Sequence, residues 1–96
     1  MPAANLVGGK EGDGFRFAMS GLDGGRINIG ACSLGGARAC LETASRYVVE
    51  RKQFGKPIAD FQGVKWPLAD SRTELDAARM LALRAAWLKQ EGRPFS

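Results

Sequence analysis

The stretch ERKQFGKPIADFQ, residues 50–62, decides the fold of this chain. It separates two long segments of helical periodicity, and it holds Phe54-Gly55 followed by Pro57. Gly closes a helix readily by taking up left-handed backbone, and Pro cannot continue one. The segment before it is therefore expected to end at Phe54-Gly55, with Gly55 just past the helix. Asp60 is expected to cap the next helix. A plain connection needs no more than this. Arg51, Phe54, Lys56, Phe61 and Gln62 are more chemistry than a turn requires.

On the N-terminal side, Leu34, Ala37, Leu41, Ala44 and Val48 recur at steps of three and four, the stripe of an amphipathic helix. Asp23 is placed to cap it. Gly30, Gly35 and Gly36 weaken that helix by roughly 1 kcal/mol each relative to Ala, a cost that close approach of another helix would offset. Ahead of it, FRFAMSGL (residues 15–22) reads as a short helix through Phe15, Met19 and Leu22, although Phe15 and Phe17 also alternate as in a strand. Residues 1–14, MPAANLVGGKEGDG, read as an irregular leader. Their glycines lack the GxxxxGK[ST] spacing of a phosphate loop, and no strand precedes them. On the C-terminal side, Val64, Leu68, Leu75, Ala78, Ala82 and Ala85 give a second stripe, ended by Gly92 and Pro94. Pro67 lies within it, removes one backbone donor and is expected to bend the helix. The expected fold is all-α: an antiparallel helical hairpin over residues 15–96 behind the leader.

The totals bound the function. Hydrophobic residues make up 45% and charged residues 25% of the 96, the balance of a soluble globular protein. The net charge of +4 invites a nucleic-acid reading. The basic residues, however, alternate with acids in LETASRYVVERK and ADSRTELDAAR, which marks solvated helix faces. No apolar run approaches the ~20 residues of a membrane span. The first residues lack the basic start and apolar core of a signal peptide, so a cytoplasmic address is expected. Cys32 and Cys40 lie about 12 Å apart if both are on one helix, too far for a disulfide. With no His and two Cys, a metal site is not expected, and both cysteines are read as small buried apolar residues. Trp66, Leu81, Leu83, Trp87 and Ile29 point in several directions around their helices. Such wide apolar arcs need further partners, so the hairpin is read as part of a bundle completed by self-association or by further sequence.

Four motifs occur in order: Asp23-x-x-Arg26, Glu50-Arg51-x-x-Phe54-Gly55, Phe61-Gln62 and Leu68-Ala69-Asp70. Together they resemble the start of the C-terminal helical domain of the acyl-CoA dehydrogenases, in look closest to members acting on short or branched acyl chains. The leader is similar to that family's exit from its middle β-domain. The resemblance implies a place in a four-helix bundle and an enzyme that uses FAD to oxidise acyl-CoA thioesters to 2-enoyl-CoA, passing electrons to an electron-transfer flavoprotein. It implies that Arg51, Gln53, Phe54 and Gln62, with Lys52 and Phe61 beside them, contact FAD held mainly by a neighbouring subunit of a homo-oligomer. It places Asp23 and Arg26 beside the acyl-CoA substrate. No catalytic residue is expected in this chain. The family's Glu base lies on a later helix in most members, and Gly25 stands where others carry it. An alternative remains: a non-enzymatic helical-hairpin interaction module, in which Arg51 is a helix C-terminal cation and Phe54 plugs the turn.

Overall fold

The computed structural model describes residues 2–95. Two antiparallel helices, α1 (Gly14–Glu50) and α2 (Gln62–Gln90), are joined by a two-stranded β-hairpin, β1 (Lys52–Gln53) and β2 (Lys56–Pro57). A single 3-10 turn, Ile58–Asp60, leads into α2, and another, Ala3–Asn5, lies in the leader. The molecule is a rod of 74 × 30 × 16 Å with a radius of gyration of 21.8 Å. A compact chain of this length would have about 12–13 Å.

The expected short helix and the expected Asp23 cap are corrected. α1 begins at Gly14 and runs unbroken through Asp23 and Gly24-Gly25. Met19, Asp23, Ile27, Gly30 and Leu34 are all half-buried and lie in phase on one face. Ending one helix and nucleating another would cost more than carrying these glycines through. Asp13 takes the N-cap position, without a capping bond from its side chain, which instead accepts from the Arg16 guanidinium at 3.3 Å.

The inner seam is a heptad. In α1 it runs through Ile27, Gly30, Leu34, Ala37, Leu41, Ala44 and Val48, with bulky residues every seventh position and small ones between. Phe61, Val64, Leu68, Leu75, Ala82 and Ala85 answer it from α2, and all six are half-buried. No side chain among the described residues is fully buried. Both cysteines are exposed on α1, which corrects the expectation that they are buried. The seam is too narrow to reach them. At mid-rod, Arg38–Glu42 (2.7 Å) and Arg72–Asp76 (2.9 Å) pair along their own helices. The hydrogen bond and charge of Arg38 hold the Glu42 carboxyl below its ordinary range. The pair thus supports α1 at neutral pH and ceases to as acid protonates Glu42.

Two further corrections concern the ends of the connection. α1 stops at Glu50, before the expected Phe54-Gly55, its last turn closed by the Arg51 N–H on the Tyr47 carbonyl at 2.8 Å. Asp60 does not cap α2. It ends the 3-10 turn, and Phe61 holds the N-cap position, its carbonyl accepting from Val64 and Lys65 N–H at 3.0 Å each. α2 continues through Pro67, which has no N–H to give the carbonyl of Gly63 one turn back. The far end of α2 is as expected. Gly92 has φ +64°, its N–H bonds the Lys89 carbonyl, and the Arg93 N–H bonds the Leu88 carbonyl, a Schellman closure. Gly92→Ala places a Cβ in left-handed backbone and is expected to destabilise α2 by about 1 kcal/mol, read as a lower melting temperature.

Candidate functional site

The tip of the rod is a tight β-hairpin. Lys52 pairs with Pro57 and Gln53 with Lys56, and the Ile58 N–H extends the ladder to the Arg51 carbonyl at 2.8 Å. Phe54 and Gly55 form its two-residue loop, with φ +52° and +82°. Positive φ at both positions is the signature of a type I′ turn, which normally selects Asn-Gly. Gly55 accepts this conformation freely. Phe54 is the one non-Gly residue with positive φ among those described. A bulky side chain held there costs on the order of 1–2 kcal/mol.

Burial does not offset that cost, because the Phe54 ring is 92% exposed. Among the described residues its aromatic neighbour is Phe61, edge to face at 6.2 Å and 82°. The Lys56 ammonium lies 4.4 Å from the centre of the Phe61 ring. Phe61 is half-buried where α2 begins and serves as the platform on which the tip rests. Arg51, Lys52, Gln53, Lys56 and Gln62, in the same connection or next to it, are all exposed. Arg51 forms no ion pair among the described residues. The tip therefore offers a planar cation with five donors, two amides that both donate and accept, and an apolar face. That set can hydrogen-bond anionic and polar groups and pack against an apolar surface. The four residues expected there, Arg51, Gln53, Phe54 and Gln62, all lie in the connection or at its junction with α2, and all are exposed.

Asp23 and Arg26 lie elsewhere. They pair at 3.1 Å on α1, toward the open end of the hairpin. With Ile27, Gly30, Ala82, Ala85 and Phe95 they line a depression of about 250 Å³. Along the helix axis, Arg26 is about 40 Å from Arg51. One chain cannot bring both groups to one small ligand. The sequence offered no sign of two features here. Lys89 of α2 reaches over Gly24, where an added Cβ would lie 2.7 Å from its Nζ. Phe95, past the end of α2, closes one side of the depression.

A family model described as "Acyl-CoA dehydrogenase, C-terminal domain" matches residues 12–96. The chain is 51% identical, over 96 residues, to an acryloyl-CoA reductase (NADH) of Anaerotignum propionicum, covering all of this chain and 24% of that protein. It is 54% identical over 86 residues to a mitochondrial isobutyryl-CoA dehydrogenase of Dictyostelium discoideum, covering 90% of this chain and 20% of that one. The solved structure of butyryl-CoA dehydrogenase from Megasphaera elsdenii superposes with a TM-score of 0.85 at 50% identity, over 90% of this chain and 22% of that chain. The chain thus spans about a quarter or less of the length of these relatives.

Proposed function

Because this chain belongs to the acyl-CoA dehydrogenase family, we propose that it is the cofactor-contacting helical hairpin of an enzyme that oxidises short or branched acyl-CoA thioesters to 2-enoyl-CoA. Residues 1–14 are then the tail of a preceding β-domain. The names of these relatives share a short acyl-CoA and a redox reaction on it.

The observation that carries the reading is Phe54: a residue in strained backbone, exposed to solvent, in a connection that also carries exposed Arg51, Gln53 and Gln62. Strain of this kind persists where a ligand or partner uses it. The ligand proposed is FAD, which when bound supplies the hydride acceptor. The donor set fits it. Arg51 would grip pyrophosphate oxygens through its fork, Gln53 and Gln62 would hydrogen-bond polar edges, and Phe54 would pack against an apolar surface. At the other end, Asp23 and Arg26 would contact the acyl-CoA, with the depression beside Ile27 and Phe95 at hand. Since some 40 Å of helix separates the two groups, the tip would serve a flavin held by another subunit of a homo-oligomer, and the reduced enzyme would pass its electrons to an electron-transfer flavoprotein.

No carboxylate of this chain is assigned as the base that takes the α proton. Such a base must lie within hydrogen-bond reach of that proton, and Gly25 occupies the one position here where some members carry it. The purified chain with added FAD, butyryl-CoA and an artificial electron acceptor is therefore expected to show no turnover, whereas the enzyme that contains it reduces the acceptor. Turnover by the isolated chain would refute the reading that the base lies outside it. An enzyme containing this chain that binds no flavin and leaves acyl-CoA unchanged would favour the interaction-module reading.

A further inference from the structure

We infer that Lys56 is a positioning residue for the ligand contact at the tip: its ammonium holds the Phe61 ring and so fixes the β-hairpin against the start of α2. This deepens the flavin reading above and rests on it. The residues proposed to meet the flavin stand on two pieces of structure. Arg51, Gln53 and Phe54 belong to the hairpin or its root, and Gln62 is the first residue of α2. The ladder that stiffens the hairpin reaches Ile58, whose N–H bonds the Arg51 carbonyl, and stops short of Phe61. Two contacts to an aromatic ring cross from one piece to the other, and both end on Phe61. Phe54 meets it edge to face, and the Lys56 Nζ lies over it, 4.4 Å from the ring centre.

Each end of the Lys56 contact is anchored by backbone. Gln53 and Lys56 are register partners beside the two-residue loop, so their side chains leave the same face of the hairpin. Phe61 holds the N-cap of α2, its N–H on the Ile58 carbonyl at 3.2 Å and its carbonyl taken by the Val64 and Lys65 N–H groups. What remains to be fixed is the Phe61 ring. An ammonium over a ring's negative face and an edge-to-face neighbour are both held by the ring quadrupole, which sets direction as well as strength. The Lys56 contact is shorter than the other two of its kind among the described residues, Arg16 on its neighbour Phe17 at 4.9 Å and Arg93 on Trp87 at 5.8 Å. Lys56 takes part in no ion pair among those residues, so no carboxylate competes with the ring. Joining Lys56 to Phe61 ties Gln53, across the ladder from Lys56, to Gln62, the residue after Phe61. A ligand that needs both amides then meets them already placed, and less of its binding free energy goes into ordering them.

A double-mutant cycle on flavin retention after gel filtration, in the enzyme that contains this chain, tests the proposal. Lys56→Met keeps the apolar stem and removes the charge, and Phe61→Leu keeps apolar bulk and removes the ring. Lys56→Met is expected to weaken retention about two- to fivefold, the scale of one exposed cation–π contact. In the Phe61→Leu background the same change is expected to add no further loss, because Lys56 acts through the ring. Trifluorophenylalanine at position 61 keeps the shape of the ring and cancels the negative potential of its face. It is expected to abolish the Lys56→Met effect in the same way, and it serves where the Leu variant folds poorly. Lys56→Arg, which also stacks on a ring, is expected to retain flavin fully. A Lys56→Met loss of equal size with and without the ring would make Lys56 a direct ligand contact and overturn its positioning role. Full retention by Lys56→Met while Arg51→Ala is impaired would overturn that role and leave the flavin site standing. Full retention by both would overturn the flavin reading and this inference with it.

Discussion

Replacing Arg51 with Ala, in the enzyme that contains this chain, is expected to weaken FAD retention by about ten- to a hundredfold. The loss is one charge-assisted contact to a phosphate, worth roughly 1.5–3 kcal/mol. The fold itself should be indifferent. The Arg51 side chain is exposed and outside every ion pair among the described residues, and it is the backbone N–H of Arg51 that closes α1. Flavin content after gel filtration measures the first effect, and the far-ultraviolet helical signal checks the second. Arg51→Lys keeps the charge without the fork and should fall between the two. Full retention by the Ala variant would reduce Arg51 to a cation at a helix C-terminus.

Phe54→Asn should push stability and flavin binding in opposite directions. Asn tolerates left-handed backbone and suits the first loop position of a type I′ turn, so the strain at φ +52° is relieved. With on the order of 1–2 kcal/mol released, and 4–8 °C of melting temperature per kcal/mol for a domain of this size, the chain should melt several degrees higher. In the complete enzyme the same variant loses the exposed ring and should retain flavin less well. A gain in stability with unchanged flavin content would mean that the ring serves nothing beyond the turn. A loss of stability would mean that the edge contact with Phe61 outweighs the strain.

The two helices were legible because their periodicity is long and regular. Leu34 to Val48 and Val64 to Ala85 fix the inner seam by spacing alone, and Gly92 announces the end of α2. What was misread is local competition between signals. Asp23 looks like a cap, but the apolar phase from Met19 to Ile27 runs through it, and continuity prevailed over cap chemistry. Phe54-Gly55 looks like a helix end because Gly is the usual residue there. The same dipeptide also serves a two-residue hairpin, and the flanking Lys-Gln and Lys-Pro are too short to read as strands. The tip residues stood out in the sequence as surplus polar chemistry. Their arrangement did not, because the positive φ of Phe54 and the platform role of Phe61 follow from the hairpin and not from residue type. The exposure of Cys32 and Cys40 was hidden for another reason: a seam only one heptad stripe wide leaves most of α1 in solvent.

The hairpin at the tip also bears on which lengths this connection tolerates. Its two-residue loop locks Gln53 against Lys56, and that lock sets the phase at which α2 departs. Each inserted or deleted residue that α2 absorbed would turn its stripe by about 100° relative to α1 and shift it about 1.5 Å along the rod. One such change would carry Leu68 and Leu75 out of the seam while leaving every helix-forming residue in place. The loop can vary in residue type far more readily than in length, and drift by insertion, the ordinary freedom of surface loops, is closed to it.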